Sequence, residues 1–422
     1  MSEWEETSLG EFANVQNGYA FKSQEFSDHG IPIIKIKNVA SGEITWDEIS
    51  FFSGSVENLG KFFAKKGDIL IAMTGSHVTQ VSSAVGKVAK YNSNISSLLN
   101  QRVGKVYSRD LEQLDNEFLY YFLVQPTTQH KLGVSASGSA NQANISPFQI
   151  KALSIDLPPV SEQQEIAATL LCLDRKISNL RQQNETLEAI AQTLFKHWFV
   201  DFEFPNEDGK PYKSSGGEME RSELGEVPAG WRVGKLGDVV KVNAESISND
   251  YKHKNIEYVD ISSVGIGKLE GTSPYLLKDA PSRARRLVKH GDVIWSGVRP
   301  NRKSYLFISH PPENLVVSTG FITLMPNLIL SSYLYSWVTT DAFVEYLTFN
   351  ASGSAYPAVK AEHFEIADVL LPEKPILNRF HAVVDPMRGK IHQNALQIQT
   401  LTKTRDRLLP KLMSGQLRIT ES

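Results

Sequence analysis

The chain has one cysteine, Cys172, in 422 residues, and no apolar run approaches the length needed to span a bilayer. A lone cysteine excludes an internal disulfide and fits a reducing compartment. Its place inside an apolar helical pattern predicts a buried structural thiol. The start, Met1 to Gly10, is acidic without an apolar core, so no secretory signal is expected and the chain reads as cytoplasmic, away from membranes. A net charge of −3 excludes a purely electrostatic nucleic-acid binder, though not a reader whose positive charge is local. Ten histidines and the one cysteine show no metal-ligand spacing. Gly86-Lys87 has Val81 and Val88 where a phosphate-binding loop needs glycine and a hydroxyl, and Val264-Gly265-Ile266-Gly267 is too short for a cofactor loop. Catalysis by this chain is not expected.

What the chain does have is a duplication. Trp4 and Leu9-Gly10-Glu11 return as Trp231 and Leu236-Gly237-Asp238, and Lys66-Gly67-Asp68-Ile69-Leu70 returns as His290-Gly291-Asp292-Val293-Ile294. Ala136-Ser137-Gly138-Ser139-Ala140 returns as Ala351-Ser352-Gly353-Ser354-Ala355, and Leu157-Pro158 as Leu371-Pro372. Two heads are therefore expected, each α+β and mostly strands. Residues 31–37 alternate in their latter part as a half-buried strand would. Gly67 and Gly291 mark tight turns delivering apolar strands. Residues 119–123 and 333–338 are matching aromatic helical segments of the core. Prolines punctuate the end of each head.

Each head runs into a long helical pattern. Ser161 and Gln164 fit a capping box. Ile166, Leu170, Leu173, Ile177, Leu180, Asn184, Leu187, Ala191, Leu194 and Trp198 then form a heptad seam. The repeat offset of 214 carries it to Phe380, Val384, Met387, Ile391, Asn394, Ile398, Leu401, Arg405, Leu408 and Leu412. The two seams are expected to pack as an antiparallel coiled coil with pseudo-two-fold symmetry. That register sets Ile166 against Leu412, Leu170 against Leu408, Ile177 against Leu401, Leu187 against Ile391 and Asn184 against Asn394, in a rod about 50 Å long. Asp385-Pro386 predicts a restart or kink in the second helix. The expected divisions are a first head at 1–158, its helix at 159–204, a flexible linker at 205–227, a second head at 228–373 and its helix at 374–416. Pro205, Gly209, Pro211 and Ser214 to Gly217 carry the linker reading.

Head, heptad helix, linker, head, heptad helix resembles the specificity subunit of type I restriction–modification systems. Leu157-Pro158-Pro159-Val160-Ser161-Glu162-Gln163-Gln164-Glu165-Ile166 carries the resemblance, as does the ending Leu408-Leu409-Pro410-Lys411-Leu412-Met413-Ser414-Gly415-Gln416-Leu417. So do Trp231-Arg232-Val233-Gly234-Lys235-Leu236-Gly237-Asp238 and Gly138-Ser139-Ala140-Asn141-Gln142-Ala143-Asn144-Ile145. The resemblance implies two target-recognition domains, each reading one half of a split, asymmetric double-stranded DNA site. It also implies helices that dock two methyltransferase subunits, joined by restriction/translocase subunits. S-adenosylmethionine, ATP and Mg2+ would belong to those partners, none being bound here. Asp156-Leu157-Pro158-Pro159-Val160 lacks the aromatic residue of an amino-methyltransferase loop and reads as a domain stop.

Base readout needs Arg, Lys, Asn, Gln, Ser or Thr on ordered loops. In the first head the candidates are Thr74, Ser76, His77, Gln101, Arg102, Ser139, Asn141, Gln142 and Asn144, with Lys35 and Lys37 on phosphates. In the second, seven basic residues against one acid lie between Pro281 and Tyr305. The candidates there are Arg283, Arg285, Arg286, Arg299, Asn301, Arg302, Lys303, Ser318, Thr319, Tyr356 and Lys360. Taken singly, each is as readily a turn former or a surface hydrogen-bonder. The shared framework with divergent loops favours two readers of different half-sites. The competing readings are a coiled-coil scaffold without DNA readout, and an enzyme with a site between the heads.

Overall fold

The computed structural model describes residues 4–40, 42–76, 85–139, 142–353 and 356–419. It divides into two units, Met1–Asn179 with Ile398–Ser422, and Leu180–Gln397. Each unit holds one head and a part of both long helices, Val160–Phe199 and Lys374–Met413.

In the first unit a four-stranded antiparallel sheet runs in the order Ala13–Asn17, Val103–Ser108, Ile69–Ala72, Val88–Lys90. A five-stranded sheet is ordered Phe26–Ser27, Ser50–Phe52, Ile31–Ile34, Ser97–Leu99, Phe63–Ala64, with one parallel pair between Ser97–Leu99 and Ile31–Ile34. The second unit repeats the plan. Val240–Val242, Phe321–Pro326, Val293–Ser296 and Tyr305–Phe307 form one sheet. Ser273–Leu276, Asn255–Val259, Leu315–Ser318 and Ala284–Leu287 form the other, again with one parallel pair. Each head closes by pairing its first strand with its last: Glu5–Ser8 with Ser154–Leu157, and Arg232–Lys235 with Asp368–Leu371.

The turns do what the sequence asks of them. Gly67 and Gly291 take φ of 97° and 92°, open to glycine and costly for other residues. The carboxylates of Asp68 and Asp292 accept the amides of Lys65 and Lys289, each at 2.8 Å, and launch buried strands. The aromatic helices Asn116–Val124 and Ser331–Val338 are buried in the cores. Asp115 caps the former by accepting from the amides of Glu117 (2.8 Å) and Phe118 (2.9 Å).

Heads and helices share their cores. In the first unit Ile166, Leu170, Leu409 and Leu412 pack with Ile71, Phe118, Tyr121 and Ile150. In the second, Phe195, Trp198, Phe199, Phe380 and Val384 pack with Trp295, Tyr333 and Phe364. The helices are antiparallel within each unit. Asp174 accepts from Arg405 Nη1 (2.8 Å) in the first, and Asn394 Nδ2 donates to Asn184 Oδ1 (2.9 Å) in the second. Along the seam Ile166, Leu170, Ile177, Leu180, Asn394 and Leu412 are buried, while Asn184, Leu187, Ile391, Ile398, Leu401 and Leu408 are half-buried.

A tyrosine ties each head to the helices. Tyr121 Oη donates to Asp174 (2.7 Å), the same carboxylate that holds Arg405. At the repeat-equivalent positions, Tyr335 lies under the Arg388 guanidinium, 4.1 Å from carbon to ring centre, and Arg388 donates to Glu188 (3.1 Å). The two ties occupy the same place in the repeat with opposite charge.

Five expectations change. Cys172 is exposed, because it sits two residues past the buried Leu170 and turns off the seam. The second helix runs unbroken through Pro386, whose exposed ring faces away from the core. The first helix already includes Ser161, and the buried Gln163 carboxamide fixes its start. That group donates to the carbonyls of Pro158 (2.8 Å) and Gln113 (2.9 Å) and accepts from Asp115 N (2.9 Å). The strand over 31–37 stops at Ile34, where Asn38 turns the chain into a short 3-10 helix. The segment 205–227 is a folded element rather than a flexible linker. It carries a hairpin, Met219–Ser222 with Gly225–Pro228, and Tyr212 (4.5 Å) and Trp231 (5.0 Å) both stack on Phe204. Its glycines and prolines obscured aromatics too irregularly spaced to register as a pattern.

Candidate nucleic-acid interface

A backbone frame gathers the first head's candidates. Met73 N–H donates to the carbonyl of Arg102 (2.9 Å), and the Met73 carbonyl accepts from Ile145 N–H (2.9 Å). Thr74–Gly75 then pairs with Gln142–Asn144, which pairs with Ser137–Ser139. Three separate stretches of sequence thus meet on one edge: Thr74 and Ser76, Gln101 and Arg102, Gln142 and Asn144. Gln101, Arg102 and Gln142 are exposed. Thr74 is buried, and its hydroxyl lies 2.7 Å from Asn144 Oδ1, so it orients that amide rather than meeting a ligand itself. His77 and Asn141 lie outside the described residues, and only the backbone of Ser139 is described.

The second head builds the same frame from different residues. Gly297 N–H donates to Gly320 O (2.8 Å), and Gly297 O accepts from Val359 N–H (2.8 Å). Val298 bridges to Ala358, which also bridges to Ser352. The edge now carries Arg299, Asn301, Arg302, Thr319 and Tyr356. Arg299 has a left-handed backbone, φ 52°, its amide held by Pro357 O (2.6 Å) and its guanidinium 4.5 Å from the centre of the exposed Tyr356 ring. Asn301, Arg302, Thr319 and Lys360 are exposed. Arg283 and Arg285 are exposed on the neighbouring strand region, Arg285 at a bulge between Ala284 and Arg286. The Arg283 carbonyl accepts from Thr319 N–H (2.8 Å), which ties this basic stretch to the frame.

Several candidates take other roles. Ser318 is fully buried and accepts from Gly320 N–H (3.2 Å), shaping the turn from beneath. Arg286 turns inward: its Nη1 lies 3.4 Å from Asn243 O, its Nε is buried without a partner among the described residues, and burial lowers its pKa. Lys35 places Nζ 3.8 Å from the centre of the Phe26 ring, and burial, then the nearby Lys37 charge, lowers its pKa. Lys37 pairs with Glu48 and Lys303 with Asp341, each at 2.7 Å. Both pairs are on the surface, where exchanging a carboxylate for a phosphate costs little.

Sequence reasoning missed the frame residues Met73 and Gly297, because a backbone contact leaves no side-chain signature. It also missed Gln163, Tyr121, Asp174, Glu188 and Arg388. The repeat offset pairs Asp174 with Arg388, and that swap of charge was the available signal. Among the described residues no group of three or more His, Cys, Asp or Glu is placed to hold a metal, and no helix is long and apolar enough to cross a membrane.

Residues 1–189 match the family model described as the type I restriction modification DNA specificity domain. The chain is 27% identical to the MjaIX type I restriction enzyme specificity subunit of Methanocaldococcus jannaschii, over 100% of this chain and 98% of that one. It is 24% identical to the HindI specificity subunit of Haemophilus influenzae, over 99% and 100% of the two chains. The crystal structure of a type I restriction–modification system S subunit from M. genitalium shares the fold, with a TM-score of 0.57 at 15% identity over 100% of this chain and 97% of that one. Domain match, full-length relatives and duplicated architecture agree: residues 1–189 carry the type I restriction modification DNA specificity domain, and the chain is similar along its whole length to specificity subunits of type I restriction–modification systems.

Proposed function

We propose that this chain is the non-catalytic DNA reader of a type I restriction–modification complex, and that each head recognises one half of a split site. One observation carries the reading. A single backbone frame is built twice and presents mostly amides with a hydroxyl and one arginine in one head, and two arginines and a tyrosine with one amide and one hydroxyl in the other. Arginine suits guanine edges and asparagine or glutamine suits adenine edges, so the two half-sites should differ. In the first head Ser76, Gln101, Arg102, Gln142 and Asn144 would face the bases. In the second, Arg299, Asn301, Arg302, Thr319 and Tyr356 would do so, with Arg283, Arg285 and Lys360 on phosphates. The helices would dock two methyltransferase subunits, with restriction/translocase subunits completing a cytoplasmic complex. S-adenosylmethionine, ATP and Mg2+ would serve those subunits.

The test is to co-express the chain with its methyltransferase in a host free of other methylation and sequence the modified genome. The expected motif is two short, unlike sequences separated by unspecified base pairs. A continuous palindrome would overturn the reading.

A further inference from the structure

We propose that the helix pair is built to refuse self-pairing: an N-terminal half of this chain accepts only a C-terminal half, its own or that of a second copy. The apolar seam alone cannot enforce this, because the repeat offset lays one seam on the other almost position for position. Any copy of the first helix therefore offers the second helix's apolar surface to another first helix. Three polar features break the equivalence.

The first is the asparagine pair. Asn394 donates to Asn184 (2.9 Å), and Asn184 Nδ2 lies 3.5 Å from Ile391 O. The offset equates Asn394 with Leu180, and Asn184 with Ile398. In a pair of N-terminal halves each Asn184 would face Leu180, and in a pair of C-terminal halves each Asn394 would face Ile398. Each amide would then lose the other asparagine and meet an aliphatic side chain in its place.

The second and third are the tyrosine-linked ties. The offset equates Asp174 with Arg388, Arg405 with Ala191, and Glu188 with Thr402. Between two N-terminal halves, Asp174 would take the place of Arg388 beside Glu188, and would lose Arg405 to an alanine. Between two C-terminal halves, Arg388 would take the place of Asp174 beside Arg405. Arg388 is 5% exposed and its Nε and Nη2 have no partner among the described residues, so Glu188, 26% exposed, is the counter-charge of a largely buried guanidinium. A like charge there is far costlier than on the surface. Two-fold symmetry would impose each mismatch twice.

The experiment uses the full chain with a protease site inserted at the exposed turn 207–209. The folded protein is cleaved, unfolded in urea, refolded with both halves present, and weighed by native mass spectrometry. Pairs of one N-terminal and one C-terminal half should exceed self-pairs by about a hundredfold, equivalent to about 2.7 kcal/mol. Self-pairs in random proportion would overturn the proposal. The cleaved chain carrying E188R with R388E tests the charges separately. The exchange keeps opposite signs within the second unit but gives each half one charge of each sign, so self-pairs become matched. Self-pairs should rise about tenfold; no rise would remove the charged ties from the argument and overturn the proposal in this form.

Discussion

Arg299 is strained and braced at once. A left-handed backbone is unfavourable for arginine, yet Pro357 O and the Tyr356 ring hold it there. Arg299→Ala should weaken binding to the full site by about 1–3 kcal/mol and relax one half-site only. Gel shifts on duplexes altered one base pair at a time would show this, and Arg299→Lys should not restore it, since lysine lacks the planar fork. Uniform weakening on every duplex would instead mark Arg299 as a phosphate contact. Asp292, 2% exposed, makes a different prediction. Burial raises its carboxyl to about 6, despite the Lys289 amide that it accepts. Between its ordinary value and about 6 the folded chain holds a proton that the unfolded chain releases, so stability falls as pH rises through that window. Asp292→Asn should flatten that slope in urea denaturation and add on the order of 1 kcal/mol near neutral pH.

Among elements, the C-terminal helix meets the second head through three neighbouring, mutually tilted rings. His310 lies 4.1 Å from His290 and 5.3 Å from His392, centre to centre. Burial and the neighbouring imidazoles lower the pKa of His290 and His392, with Asp385 acting against this at His290. Their sign opposes that of Asp292: the stabilising contribution is complete above the ordinary histidine value and is lost as pH falls through it. His392→Gln should therefore make melting temperature less sensitive to mild acidification, while Asp292→Asn should make it more so, because the proton that Asp292 takes up near pH 6 stabilises the fold. Leu180→Asp would put an unpaired charge into a buried seam position and should cost several kcal/mol, read as loss of cooperative unfolding. Arg302→Ala, on an exposed loop, should leave melting unchanged and affect DNA binding alone. The seam was legible in the sequence because heptad spacing is a direct image of helix geometry. The frame edges were legible because the repeat fixed their ends and divergence marked their loops. Which way a loop side chain turns was not: Ser318 and Arg286 differ from Thr319 and Arg285 only by one step along a strand, and that step decides between core and solvent.

For the whole molecule, separate heads on shared helices predict separable changes. Replacing residues 4–157 with the first head of a relative should alter one half of the methylated motif and leave the other intact. Lengthening both long helices by one heptad should change the spacer between the halves and neither half itself. Altered bases in both halves after a single head exchange would argue against independent readers.

The frame around Met73 and Gly297 is made of main-chain amides and carbonyls, so it asks almost nothing of the side chains it displays. Residues at its exposed edge can therefore drift through many substitutions with little loss of fold. A population carrying this gene could acquire a new target sequence by a handful of surface changes, while the expensive parts of the protein stay fixed. Specificity is the property of this chain that substitution changes most readily.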